Sequence, residues 1–320
     1  MPKQALPLYS LRRTVSSIEA RHNRGGVARK TRPPSGDGHY DAALDSRRDP
    51  NSCTLILTEG DSAKAFVVAG LSAIGRHKHG VFPLRGVPIN VTNLSVPKIL
   101  ENREAANIFR ILNVGPNSDG KGLRYGRVAI CSDQDSDGSH ICGLLINFFM
   151  KCLPEVIVER DDFIQRIVTP LIRAVHRRTE ERLSFFSLQE FRGWSLTHRV
   201  SEWTLKYYKG LGTSSSKEAR EIFKTLPRHQ LAFAADKDAQ LTLTHFYDEA
   251  HTAERKRLLT SDYDENSAVD YSQTHCNISR FMLTEHLHFS FYSVFRALPS
   301  CIDGLTPSRR KVIFYSGCTS

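Results

Sequence analysis

Two short acidic stretches hold the residues best suited to chemistry in this 320-residue sequence. One is Glu59-Gly60-Asp61-Ser62-Ala63; the other is Asp133-Gln134-Asp135-Ser136-Asp137-Gly138. Carboxylates brought together repel, and two of them ~4 Å apart cost on the order of 4 kcal/mol at an effective dielectric near 20. A cluster of three or four is tolerable only when protons or cations neutralise it. Hard oxygen ligands that leave room for water and phosphate suit Mg²⁺, which can stabilise the attacking or leaving oxygen of a phosphodiester transfer. Glu59, beside a glycine, could instead act as general acid or base on a sugar oxygen. Taken singly, either motif also reads as an Asp-rich cap or a solvated loop. Two sharper alternatives fail. D-x-D-x-D-G opens an EF-hand loop, but the twelfth position is Leu144 rather than a bidentate Glu, and an apolar strand precedes it. A phosphate-binding P-loop is excluded because no G-x-x-x-x-G-K-[ST] occurs.

Each motif needs an element to place it. Thr54-Leu55-Ile56-Leu57-Thr58 reads as a short buried strand ending at Glu59, and Arg127-Val128-Ala129-Ile130-Cys131-Ser132 as a second one ending at Asp133. A helix is expected from Ser62 to Ile74, with Ser62 or Asp61 as N-cap. Others are expected near Arg103 to Leu112 and from about Ser139 to Leu153. Strands alternating with helices predict an α/β fold, a Rossmann-like parallel sheet with helices on both faces. Ligands of such sheets bind just past the carboxyl ends of the strands. If the two strands are neighbours, Glu59 faces Asp133 and Asp135 across one crevice. Further on, Phe163 to Val175 looks extended, Leu205 to Tyr208 is read as a strand, Lys217 to Thr225 as a helix, and Asp248 to Leu259 has helical tendency.

Composition sets the wider frame. At 40% apolar and 24% charged the chain can bury a sizeable core, and no stretch approaches the roughly 20 apolar residues of a membrane span. We therefore expect a soluble protein with no membrane partner. A net charge of +10 favours a polyanionic partner. Seven cysteines without a C-x-x-C pair argue for reduced thiols, and Cys131, His140 and Cys142 lack the paired spacing of a zinc site. Residues 1–50 are rich in arginine and broken by Pro33-Pro34-Ser35-Gly36, so a basic flexible arm is expected there; a mitochondrial transit peptide is the alternative.

E-G-D-S-A followed by D-x-D-x-D-G resembles the Toprim signature of topoisomerases, bacterial-type primases and some nucleases. Gly80-Val81-Phe82-Pro83-Leu84-Arg85-Gly86, Gly143-Leu144-Leu145-Ile146-Asn147-Phe148, Tyr207-Tyr208-Lys209-Gly210-Leu211-Gly212-Thr213-Ser214 and Ile302-Asp303-Gly304-Leu305-Thr306-Pro307 are similar to motifs of the eukaryotic type II DNA topoisomerases, in the same order. The resemblance implies that Glu59, Asp133 and Asp135 bind Mg²⁺, two ions in all, with Mn²⁺ or Ca²⁺ able to substitute in binding. Glu59 and Asp133 would hold the ion nearest the scissile phosphate, Asp135 the second, with Asp137 supporting. Arg85, Lys209, Arg309 and Arg310 would contact double-stranded DNA. It further implies an ATP-dependent enzyme, homodimeric and nuclear (alternatively mitochondrial, or viral and cytoplasmic), that cuts, passes and reseals duplex DNA. On this reading residues 51–180 form the Toprim domain, and residues 181–320 its tail and the truncated start of the DNA-gate region. The family's ATP-binding domain lies upstream and its nucleophilic tyrosine downstream of the matching motifs, so the chain is expected to be inactive alone. None of Tyr207, Tyr208, Tyr292 and Tyr315 has the Arg-Tyr setting of that nucleophile, and the first two are read as strand packing residues. Val87 stands where the family usually has Lys, and Val294-Phe295 replace Asn-rich residues before Arg296. A Toprim nuclease or primase, or a DNA-binding module with a degenerate metal site, are the competing readings.

Overall fold

The computed structural model describes residues 40–261 and 263–318. Most of the arm expected over residues 1–50 lies outside them; Tyr40 to Pro50 lie against the sheet, with Asp41 exchanging two backbone hydrogen bonds with Val81.

Four parallel strands form one side of a six-stranded sheet: β1 (Thr54–Thr58), β2 (His79–Pro83), β3 (Arg127–Cys131) and β4 (Ile164–Ile167). With β8 (Gln230–Ala234) and β9 (His275–Asn277) the order is β2-β1-β3-β4-β8-β9, and only the β4–β8 pair is antiparallel. All five residues of β1 are buried, as expected of a strand covered on both faces. Alternation then divides the core. Leu55, Leu57, Val128 and Ile130 enter one apolar cluster, while Ile56, Ala129 and Cys131 enter the other.

Helices cover both faces. α1 (Gly60–Ile74) buries Ala63, Phe66, Val67, Gly70 and Leu71, one stripe at helical spacing. Gly70 lets α1 approach a later helix closely: a Cβ there would stand 2.2 Å from the Phe223 ring. α2 (Val96–Glu101) and α3 (Arg103–Leu112) lead to β3, then α4 (Ser136–Cys152), which is buried along most of its length, and α5 (Pro154–Glu159).

The extended segment expected from Phe163 to Val175 divides between two sheets. β4 stays in the large one, whereas β5 (Ile172–His176) is the middle of a three-stranded antiparallel sheet between β6 (Arg182–Phe185) and β7 (Trp203–Tyr207). α6 (Leu188–Thr197) lies between β6 and β7 in the chain, and α7 (Ser216–Lys224), the helix that carries Phe223, follows β7. Beyond β8 come α8 (Ala239–Tyr247), α9 (Thr252–Thr260) and β9. One continuous helical run follows: α10 (Ile278–Phe281), a π turn (Met282–His286) and α11 (Leu287–Ala297). A last helix, α12, spans Pro307–Cys318. Among the described residues no helix is long and apolar enough to cross a membrane.

Candidate metal and phosphate site

The two acidic motifs meet because their strands are neighbours. β1 and β3 run parallel with Thr58 opposite Cys131, so both motifs leave the sheet at the same edge. The Glu59 amide donates to the Cys131 carbonyl at 3.1 Å. In return the Asp133 amide donates to Glu59 Oε2 at 3.2 Å. Glu59 thus lies against Asp133, the first of the two acids the crevice argument sets opposite it; the second, Asp135, turns an oxygen to the start of α4.

Local geometry departs from expectation in two places. α1 begins at Gly60, with Glu59 itself in the N-cap position and making no side-chain cap bond, so neither Ser62 nor Asp61 caps it. A φ of +78° at Gly60 makes the sharp strand-to-helix turn possible. α4 starts at Ser136, three residues before the expected Ser139, because Asp135 is its cap: Oδ1 accepts the Gly138 amide at 2.8 Å. Gly138 is required here, since a Cβ would stand 2.0 Å from the Asp133 carbonyl oxygen.

Asp133 is also held from the other side. Its Oδ1 accepts the Leu211 amide at 2.8 Å, and a Cβ on Gly210 would stand 2.3 Å from its Oδ2. The loop after β7 therefore rests its bare backbone on this carboxylate, and exposed Lys209 immediately precedes the contact. Arg85, also exposed, follows β2 at the strand end next to β1, where the Leu84 amide bonds to the Thr58 carbonyl at 2.9 Å. Its own backbone amide donates to Glu104 Oε2 at 3.4 Å. Val87 is 62% exposed on the same loop.

Asp137 differs from the other three acids. Arg296 of α11 grips it through Nη2 and Nη1, which donate to the two carboxylate oxygens at 2.7 and 2.9 Å. That hydrogen-bonded countercharge lowers its pKa. In sequence Arg296 serves only as a landmark; the fold makes it the partner of Asp137. Arg310 pairs locally with Asp303 at 2.9 and 3.0 Å, and Arg309 is exposed on α12. Tyr208 is buried and donates its hydroxyl to Glu218, but Tyr207 is 57% exposed, so only one of the two is a packing residue.

Burial, reinforced by the charges of Asp133, Asp135 and Asp137, pushes the Glu59 carboxyl up to about 7; the Asp133 amide opposes the shift. Burial likewise raises Asp133, with Asp135 adding to it against the Leu211 amide. Two adjacent acids that resist ionisation form a spot whose charge a nearby cation would relieve. Among the described residues no three His, Cys, Asp or Glu side chains are gathered tightly enough to cage a metal ion. The donors that do meet, the carboxylates of Glu59 and Asp133, are hard oxygens of the kind that divalent cations such as Mg²⁺ accept alongside waters and phosphate oxygens.

Comparison with known proteins agrees with this architecture. Residues 54–166 match the family model of the Toprim domain, and residues 167–294 that of the C-terminal associated domain of TOPRIM. A putative mitochondrial DNA topoisomerase 2 of Caenorhabditis elegans is 42% identical over 270 residues, covering 82% of this chain and 23% of the relative. The DNA topoisomerase 2-alpha of Gallus gallus is 40% identical over 297 residues, covering 85% of this chain and 19% of the relative. A crystal structure of the Plasmodium falciparum topoisomerase II DNA-binding, cleavage and re-ligation domain superposes with a TM-score of 0.80 at 35% identity, covering 91% of this chain and 39% of that one. The chain spans about a fifth of the length of these curated relatives. Its fold, its paired Toprim regions and these likenesses together identify it as a segment belonging to the type II DNA topoisomerase family.

Proposed function

We propose that this chain supplies the divalent-metal and phosphate-binding part of an ATP-dependent type II DNA topoisomerase, with Mg²⁺ as the ion and duplex DNA as the substrate. The observation that carries the reading is the meeting of Glu59 and Asp133 at adjacent strand ends, with the Lys209 loop bonded to the same Asp133 carboxylate. Glu59, Asp133 and Asp135 would hold the ions; the chemistry a bound divalent cation supplies is polarisation of a phosphodiester and stabilisation of the departing oxygen. Asp137, held by Arg296, supports the loop rather than the ion.

The chain's own residues do the rest. Without a cation the Glu59 carboxyl sits at about 7, and a cation beside it favours its ionised, coordinating form. Lys209 and Arg85 flank the acids and would pair with backbone phosphates, while Arg309 and Arg310 extend a basic surface along α12. ATP binding, the nucleophilic tyrosine and most of the homodimer contact are assigned to the longer protein. Its compartment on this reading is the nucleus, with the mitochondrial names among relatives making the mitochondrion the competing address; microscopy of a tagged chain separates the two.

Titration with Mn²⁺ or Mg²⁺ by calorimetry, with and without a short duplex, tests the proposal. Uptake should be tightened by DNA and lost in Glu59→Gln and Asp133→Asn. A wild-type chain that takes up neither ion, with or without duplex, overturns it.

A further inference from the structure

Arg166 is the one charged residue in β4, and its side chain is fully buried. A buried guanidinium must be paired and hydrogen-bonded to be tolerated, so its partners show what holds it. Nη2 donates to the backbone carbonyl of Asp133 at 3.2 Å. Nη1 donates to Glu285 Oε2 at 3.3 Å, with longer approaches to the Ser139 hydroxyl at 3.4 Å and the Tyr271 hydroxyl at 3.5 Å. The Ser139 hydroxyl in turn lies 3.0 Å from Glu285 Oε2 and 3.1 Å from the Asp135 carbonyl. One guanidinium therefore grips the acidic loop at its first residue and, through Glu285 and Ser139, at the first turn of α4.

Glu285 reaches this position from the π turn. Such single widened turns inside helices often sit at functional sites. The same helical run delivers Arg296 to Asp137 one end further along. Replacing a buried ion pair by apolar residues of similar volume is often neutral or stabilising, so stability alone does not account for Arg166. What the pair adds is direction: it fixes the peptide that follows Asp133 and hence the aim of the carboxylates on either side of it.

We infer that Arg166, held by Glu285, is a positioning residue that sets the backbone of the Asp133–Ser139 loop so that Asp133 and Asp135 present their oxygens to a divalent cation. The inference rests on the proposed metal role, and its test separates the two. The double variant Arg166→Met/Glu285→Leu, made in the full 320-residue chain, removes the pair without leaving a lone buried charge. Amide hydrogen exchange at residues 134–139, measured without metal, should speed at least about tenfold while β1 and β3 amides keep their protection. Mn²⁺ affinity, read by the paramagnetic resonance of free Mn²⁺, should fall about tenfold, in line with the loss of supporting contacts around metal ligands. Arg166→Lys, which keeps the charge and loses the fork, should show the same exchange signature if the double variant does not fold. Unchanged exchange at residues 134–139 in a folded variant overturns the inference, whatever the wild type does with metal. If the wild-type chain binds no metal but the loop loosens in the variant, the positioning role stands and the metal reading falls.

Discussion

Glu59 carries a conflict that can be measured. Its carboxyl resists ionisation because it is buried beside other acids, so between its ordinary value of 4.5 and about 7 the folded chain keeps a proton that the unfolded chain has released. Stability must then fall as pH rises through that window. Glu59→Gln keeps an acceptor for the Asp133 amide and discards the charge. Metal-free melting at pH 8 should therefore rise by a few degrees in the variant, and the difference should vanish by about pH 4, below the ordinary value, where Glu59 is neutral in both the folded and the unfolded chain. Millimolar Mg²⁺ should raise the wild-type melting temperature and leave that of the variant unmoved; equal shifts in both would remove Glu59 from the ligand set. Gly210→Ala makes a complementary case. With φ at −175° the backbone accepts alanine without strain, and the three atoms nearest the added methyl all belong to the Asp133 carboxylate. The fold should survive while Mn²⁺ affinity drops by about tenfold; unaltered affinity in calorimetry would mean that Asp133 can turn aside at no cost. The acids were legible in sequence because a crowded run of carboxylates is conspicuous. Arg166, Glu285 and Arg296 were not, because their partners lie 27 to 159 residues away and only the fold brings them together.

At the level of elements, Glu218 ties α7 to the three-stranded sheet. It completes the capping box with Ser215 and receives Lys206 Nζ at 2.7 and 2.9 Å, the Tyr208 hydroxyl, and Arg173 at 3.6 Å. Burial opposes its charge, but Lys206, Tyr208 and Ser215 overcome it and bring the carboxyl down to about 2. The stability it contributes is present above the ordinary 4.5 and is lost as pH falls from there towards 2. Glu218→Gln should cost about 1 kcal/mol at pH 7, a figure kept low because solvent reaches part of the network. Denaturant titrations of variant and wild type should converge near pH 2; a gap that persists there would assign the loss to packing. Helices and strands were read well where apolar periodicity was strong, as in β1, β3 and α3. Their starts were read less well, because Glu59 and Asp135 look like ligands in sequence yet also occupy N-cap positions. The division of residues 163–175 between two sheets has no local signal at all: extended residues run through Val168 to Pro170, and tertiary pairing decides which sheet each side joins.

For the molecule as a whole, a surplus of ten positive charges coexists with a dense acidic loop at one sheet edge. Affinity for duplex DNA should fall steeply with salt. Arg85→Ala and Lys209→Ala should each flatten the plot of log affinity against log salt by roughly one, with little sequence preference. Slopes identical to wild type in fluorescence anisotropy would move the phosphate path elsewhere. Charge sign and α/β class could be read from composition and pattern; the placing of the basic side chains on two loops beside the acids could not, since Arg85 and Lys209 are joined to that edge only through β2 and the Asp133–Leu211 bond.

That last bond has a mechanical consequence. The loop that carries Lys209 follows β7 of the smaller sheet, yet the Leu211 amide, four residues beyond that strand, is anchored on an acid of the larger one. Leu211 is itself buried in the apolar cluster under the larger sheet, so the loop that leaves the small sheet is fastened both by its side chain and by its amide on Asp133. A displacement of that loop should therefore register at the Asp133 carboxylate as well as at the lysine two residues before the bond.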